Sequence, residues 1–182
     1  MVIEHKEKLK SNFDGTIIDI ETIGEFSNEY NDSRKYKQIL PVIFGFIDSN
    51  GFSIYCAKNK GSLDKLKNEI PPLLDNLERP FYAFNCHFEM GVFFHSLNKK
   101  VLFERELNER KYERKSSGVS KLKIPQYDDP FNDRGVLCKE AWLQGQIDKA
   151  MAHNRSCLLK ERDILLKRGF RKPDKLNFIP YR

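Results

Sequence analysis

The chain has 182 residues, 40% of them hydrophobic, with 14 Phe and 7 Tyr, which is enough to bury one sizeable core and predicts a single domain over 1–182. Its formal charge of +6 and sequence pI of about 9.1 favour a polyanionic partner. No apolar run is long enough for a membrane span, Met1 to Lys10 has no secretory core, and the four cysteines form no C-x-x-C pair. These features predict a cytoplasmic protein with free thiols and no membrane partner.

Residues 1–13 are polar and are read as a leader into the first strand, Thr16–Thr22. That strand is β-branched and apolar except for Asp19 and Glu21, which alternation puts on one face. Two carboxylates side by side repel unless a cation or proton sits between them, and oxygen donors suit Mg²⁺ or Mn²⁺. A solvated acidic pair on an edge strand is the plain alternative. A loop follows to about Lys37, then a second strand around Val42–Ile47. Asp48-Ser49-Asn50-Gly51 predicts a hairpin, because Asn-Gly tolerates positive φ, and Phe52–Ala57 is the return strand.

Leu63, Leu66, Ile70, Leu73, Leu74 and Leu77 recur at helical spacing after Ser62, a candidate N-cap; Pro71-Pro72 is expected to break or kink that helix. Phe81–Phe84 reads as a fourth strand, Phe88–Leu97 as a helix and Val101–Phe103 as a fifth strand. Residues 104–133 are charged and Pro-interrupted and give no clear element; Ser116-Ser117-Gly118 marks a flexible point there. Gly135–Gln144 reads as a short helix, and about Ile147–Arg168 as a long one stopped by Gly169. The tail, 170–182, is basic. The elements predict an α/β fold with a mixed sheet: a three-stranded antiparallel meander, then βα units, then C-terminal helices.

Three segments in this order resemble the DEDD superfamily of 3′-to-5′ exonucleases, most of all the exonuclease domains related to family B DNA polymerases. The segments are Asp19-Ile20-Glu21-Thr22, Ala83-Phe84-Asn85-Cys86-His87-Phe88-Glu89, and the run from Gly145 through His153-Asn154-Arg155-Ser156-Cys157-Leu158. The resemblance covers about 13–169 and implies a ribonuclease H-like fold. It also implies hydrolysis of DNA or RNA phosphodiesters with two Mg²⁺ or Mn²⁺ ions, acting on single strands or frayed 3′ ends. Carried over, Asp19, Glu21 and Glu89 bind metal, and His153 is the general base. Thr22 and Asn85 meet substrate. The charge run that includes Lys111, Arg114 and Lys115 reads either as a solvated face or as a lining for a nucleic-acid strand.

The chain departs from the pattern at Glu89, where the family has Asp, and at Cys157, where it also has Asp. A thiol is a poor Mg²⁺ ligand, so the second metal is in question unless Glu161, one helical turn further on, replaces it. The readings without catalysis are a turn residue for Asn85, dipole compensation for Glu89, a half-buried helix residue for His153 and packing for Cys157. Three alternatives to the exonuclease stand: a weakened ribonuclease H-like module that binds nucleic acid or protein, a hydrolase of nucleotides or small phosphates, and a Zn²⁺ site from Cys86, His87, His153 and Cys157.

Overall fold

The computed structural model describes residues 1–180. Six strands form one open mixed sheet: β1 (Val2–Lys8), β2 (Thr16–Ile23), β3 (Leu40–Ile47), β4 (Gly51–Ala57), β5 (Phe81–Ala83) and β6 (Arg105–Glu106), in the order β1-β4-β3-β2-β5-β6. Five helices accompany it: α1 (Leu63–Asn76), α2 (Cys86–Ser96), α3 (Lys115–Lys121), α4 (Gly135–Leu143) and α5 (Ile147–Arg168). The expected meander is β2-β3-β4, antiparallel throughout, and β5 then joins β2 in parallel.

Strand β2 is central, and this explains its near-continuous apolar sequence. Ile17, Ile18 and Ile20 are all buried, so the strand is covered on both faces rather than alternating in and out. Consecutive residues of β3 show which helices do the covering. Phe44 meets Phe93 of α2, while Gly45 lies against Asn154 and Leu158 of α5.

Several expectations are corrected. Residues 2–8 are not a leader but strand β1, paired antiparallel with β4 from Val2↔Ala57 to Lys8↔Gly51. The hairpin after β3 forms, but Asn50 keeps a negative φ. Its turn is closed by the Asp48 side chain, whose Oδ1 accepts from the amides of Asn50 (2.7 Å) and Gly51 (3.1 Å). Helix α1 continues through Pro71 and Pro72. Both lie away from the buried Leu66–Ile70–Leu74 stripe, so water can take the freed carbonyls and packing holds the helix. Ser62 stands at its N-cap position without a side-chain capping bond.

The fifth strand is not Val101–Phe103 but β6, two residues further on; Val101 and Phe103 are instead buried core side chains. Ser116-Ser117-Gly118 is not a flexible point but lies within α3, whose Gly118 and Val119 are buried. The helices at 135–143 and 147–168 lie where the sequence places them, with Gly169 at φ +78° ending the second. The tail is laid down as extended chain: Arg171 bridges to Glu106, and Ser33 exchanges hydrogen bonds with Asn177 and Ile179. No helix among the described residues is long and apolar enough to cross a membrane.

Candidate functional site

The carboxyl ends of β2 and β5 run parallel and open into one cleft of about 480 Å³. Asp19, Glu21 and Thr22 reach it from β2, Asn85 and Glu89 from the β5–α2 junction, Lys115 from the start of α3, and His153 and Cys157 from α5. Crevices at the carboxyl ends of parallel strands are the usual ligand sites of α/β sheets. The β2–β3 register shifts between Glu21 and Thr22, where Pro41 lacks an amide to continue the ladder.

Asp19 is held from two sides. Asn154 Nδ2 donates to its Oδ2 at 2.7 Å and to its backbone oxygen at 3.2 Å. That contact is possible because Gly45 pairs with Asp19: a Cβ on Gly45 would stand 2.0 Å from Asn154 Oδ1. On the other side Lys115 Nζ lies 2.8 Å from Asp19 Oδ1 and 2.5 Å from Glu161 Oε1. Glu161 therefore does reach the acidic centre, from the third successive turn of α5 after His153 and Cys157. Glu89 completes the group. Its Oε2 is buried without a hydrogen bond, as is Oε2 of Glu161, whose Oε1 meets only the Lys115 ammonium.

Burial raises the Glu89 carboxyl well above the usual range, reinforced by Asp19 and Glu161. Burial raises Glu161 likewise, with Lys115 opposing and Asp19 adding. Buried carboxyls that repel one another are what a cation satisfies, so Asp19, Glu89 and Glu161 fit Mg²⁺ or Mn²⁺ by donor type. The cation now between Asp19 and Glu161 is the Lys115 ammonium. Burial works against its charge, but Asp19, Cys157 and Glu161 outweigh burial and raise its pKa. Lys115 thus sits inside the acidic cluster rather than along an exposed phosphate track. Lys111 and Arg114 are exposed and line neighbouring grooves instead.

Glu21 lies in the same cleft and faces α5. Its Oε1 is 3.7 Å from His153 Nε2. Burial raises it to about 7, with His153 opposing and Asp19 adding. His153 is 2% exposed, and its Nδ1 is 2.7 Å from Asp129 Oδ1. Asp129 also accepts from the fully buried Lys160 at 2.7 Å and from the amides of Phe131 and Asp133 at 2.9 Å. Burial alone would lower the imidazole; Cys157, Glu21 and Asp129 outweigh it and raise it. Cys157 contributes charge only as thiolate, and burial pushes its thiol up, so Asp129 is the lasting partner. These partners favour the protonated ring over the neutral one, and they leave Nε2 facing Glu21 and Cys157.

Asn85 occupies the N-cap position of α2 yet makes no capping bond and is exposed, lining both the main cleft and the adjoining polar groove. The zinc arrangement of Cys86 and His87 with His153 and Cys157 is not formed. Cys86 Sγ faces the carbonyls of Ala83 and Arg105, and His87 Nε2 faces that of Asp174. Sequence reasoning missed Asn154, Asp129 and Lys160. Asn154 adjoins His153 in the third segment and carried a signal; Asp129 lies in the stretch that showed no element.

The fold and cleft define an α/β protein with an acidic, partly cation-filled centre at the carboxyl end of its central strand. No protein family, curated protein or solved structure matches the chain.

Proposed function

We propose that the chain is a divalent-metal-dependent 3′-to-5′ exonuclease on a ribonuclease H-like fold, hydrolysing phosphodiesters of DNA or RNA. The observation that carries this reading is the grouping of buried carboxyls around Lys115: Asp19 and Glu89 line the open cleft, and Glu161 reaches Lys115 from behind it. The sheet agrees with the reading: an antiparallel meander led by the acidic strand, followed by a parallel strand and the helix that brings Glu89.

Asp19, Glu89 and Glu161 would hold Mg²⁺ or Mn²⁺. Bound there, such an ion would supply Lewis-acid polarisation of a phosphoryl oxygen and a more acidic water. Asn154 and Gly45 fix Asp19 in place. Thr22 and Asn85 line the cleft where a terminal nucleotide would sit. From Asn85 the second groove runs on past Lys35, His87, Lys111, Tyr112 and Lys175, and its carboxylates Asp32, Glu106, Glu113 and Asp174 are each paired with an arginine. Cations for phosphates and an aromatic side chain that is 85% exposed suit a single strand with unstacked bases. His153 stands at the cleft wall beside Glu21.

A second reading rests on Lys115. A lysine already neutralising Asp19 and Glu161 favours a module that binds nucleic acid or a protein partner without cutting.

Oligonucleotides labelled at either end and incubated with Mg²⁺ or Mn²⁺ separate the two. The exonuclease shortens strands from the 3′ end, and Asp19→Asn lowers the rate at least a hundredfold. Salt-sensitive binding without shortening selects the module, and neither binding nor shortening removes both readings.

A further inference from the structure

We propose that Glu21, His153 and Cys157 form a binding site for one Zn²⁺ ion, separate in ligand chemistry from the oxygen cluster around Asp19. One donor atom from each of the three lies within 4.8 Å of the others. His153 Nε2 is 3.7 Å from Cys157 Sγ and 3.7 Å from Glu21 Oε1. Tetrahedral zinc, with bonds of about 2.0–2.3 Å, places neighbouring donors roughly 3.3–3.7 Å apart, so small side-chain movements complete the geometry. Imidazole, thiolate and carboxylate are the donors that zinc accepts together, whereas Mg²⁺ discriminates against sulfur.

Three further features point to a ligand rather than to packing. The first is the sulfur's direction. Cys56, Cys86 and Cys138 each direct their thiols at a backbone carbonyl, as buried structural cysteines do. Cys157 instead directs its sulfur at the imidazole Nε2 of His153. The second is the orientation of His153. Its Nδ1 bonds Asp129, which leaves Nε2 aimed at Cys157 and Glu21. A carboxylate behind the ring is how zinc-binding histidines are oriented and made more basic. Here that carboxylate is itself anchored by Lys160 and two backbone amides. The third is access. All three side chains line the open cleft, so three protein ligands leave the fourth position to water or substrate, the pattern of an open zinc site.

Position makes the trio coherent. His153 and Cys157 are four residues apart on α5 and share a face, while Glu21 projects from β2 towards them. Loading exchanges protons for the ion: the Cys157 thiol proton and any proton on His153 Nε2 leave to solvent as the Zn–S and Zn–N bonds form. Zinc binding here is independent of what the cleft acts on.

The test is titration of the chelator-treated full chain with Zn²⁺ by calorimetry, and with Co²⁺ as a spectroscopic substitute. One equivalent is expected to bind, with a near-ultraviolet thiolate-to-cobalt band. Cys157→Ser should abolish that band and weaken Zn²⁺ binding at least a hundredfold. Asp129→Asn, which leaves all three ligands, should weaken it about 10- to 100-fold. Absence of stoichiometric binding, or a cobalt complex of the unaltered chain without a thiolate band, overturns the site whatever the variants do. So does undiminished affinity in folded Cys157→Ser. Stoichiometric zinc with no shortening of oligonucleotides would leave this site standing and remove the exonuclease reading alone.

Discussion

Lys115 is the residue on which the site's charge balance turns. It bridges Asp19 and Glu161 although it lies 96 positions from Asp19 in the chain. That separation is why nothing in the sequence placed it there: as one of several cations in a charged stretch, it read as a phosphate contact. Asp19 and Glu21, by contrast, were legible because a strand's alternation is local and two acids in an apolar strand stand out. Replacing the ammonium with an apolar group leaves buried carboxylates uncompensated. Lys115→Met is expected to lose about 3–5 kcal/mol of stability at neutral pH without divalent ions. If Lys115 occupies a cation's place, Mn²⁺ should raise the melting temperature of Lys115→Met more than that of the unaltered chain. Equal shifts in the two proteins would show that the lysine and the metal do not compete.

At the level of elements, α5 and β3 are joined by a missing side chain. Gly45 gives Asn154 the room to reach Asp19, so the helix settles against the sheet where the acidic centre needs it. Gly45→Ala would force the Asn154 amide aside and break its bond to a charged group. A loss of about 1.5–3 kcal/mol is expected, read as a lower urea midpoint. Activity on oligonucleotides should fall with it, because Asp19 loses its anchor. Helix α5 was readable from its periodicity and its glycine stop, and β2 to β4 from turn signals. The elements that escaped were those made by tertiary pairing. β1 is polar and becomes a strand only because β4 offers an edge, and two-residue β6 has no periodicity to detect. Pro71-Pro72 misled in the other direction, since packing overrode a local breaker.

For the whole molecule, the cleft makes stability depend on pH in one direction. Glu21 goes from an ordinary 4.5 to about 7, and Glu89 and Glu161 are also raised. In that window the folded chain holds protons that the unfolded chain has released, so stability is greatest at the acid end and falls as pH rises. His153 acts with the same sign. Its raised value gives stability that is complete below the ordinary 6.5 and is lost as pH climbs through the folded value. The metal-free protein should therefore have a higher urea midpoint at pH 5 than at pH 8, and Glu21→Gln should flatten the part between about 4.5 and 7. A midpoint that rises over that range would contradict the protonated cluster.

The tail that follows Gly169 bears on how chains meet one another in solution. An open sheet has two free rims, and each is a template on which a neighbour's backbone can add. At β1 the chain carries Glu4, His5, Lys6, Glu7 and Lys8, a charged, solvated edge that disfavours addition of a second copy. At β6 the tail does the work: Arg171 and Glu106 exchange backbone hydrogen bonds at 2.8 and 2.9 Å, and the Arg171 guanidinium meets the Glu106 carboxylate at 2.6 Å. A stop codon after Gly169 would uncover that rim and strand the buried Glu106 without its cation. Light scattering of the shortened chain should report concentration-dependent oligomers and turbidity, where the full chain stays monodisperse. Monodisperse behaviour in both would assign the tail no protective role.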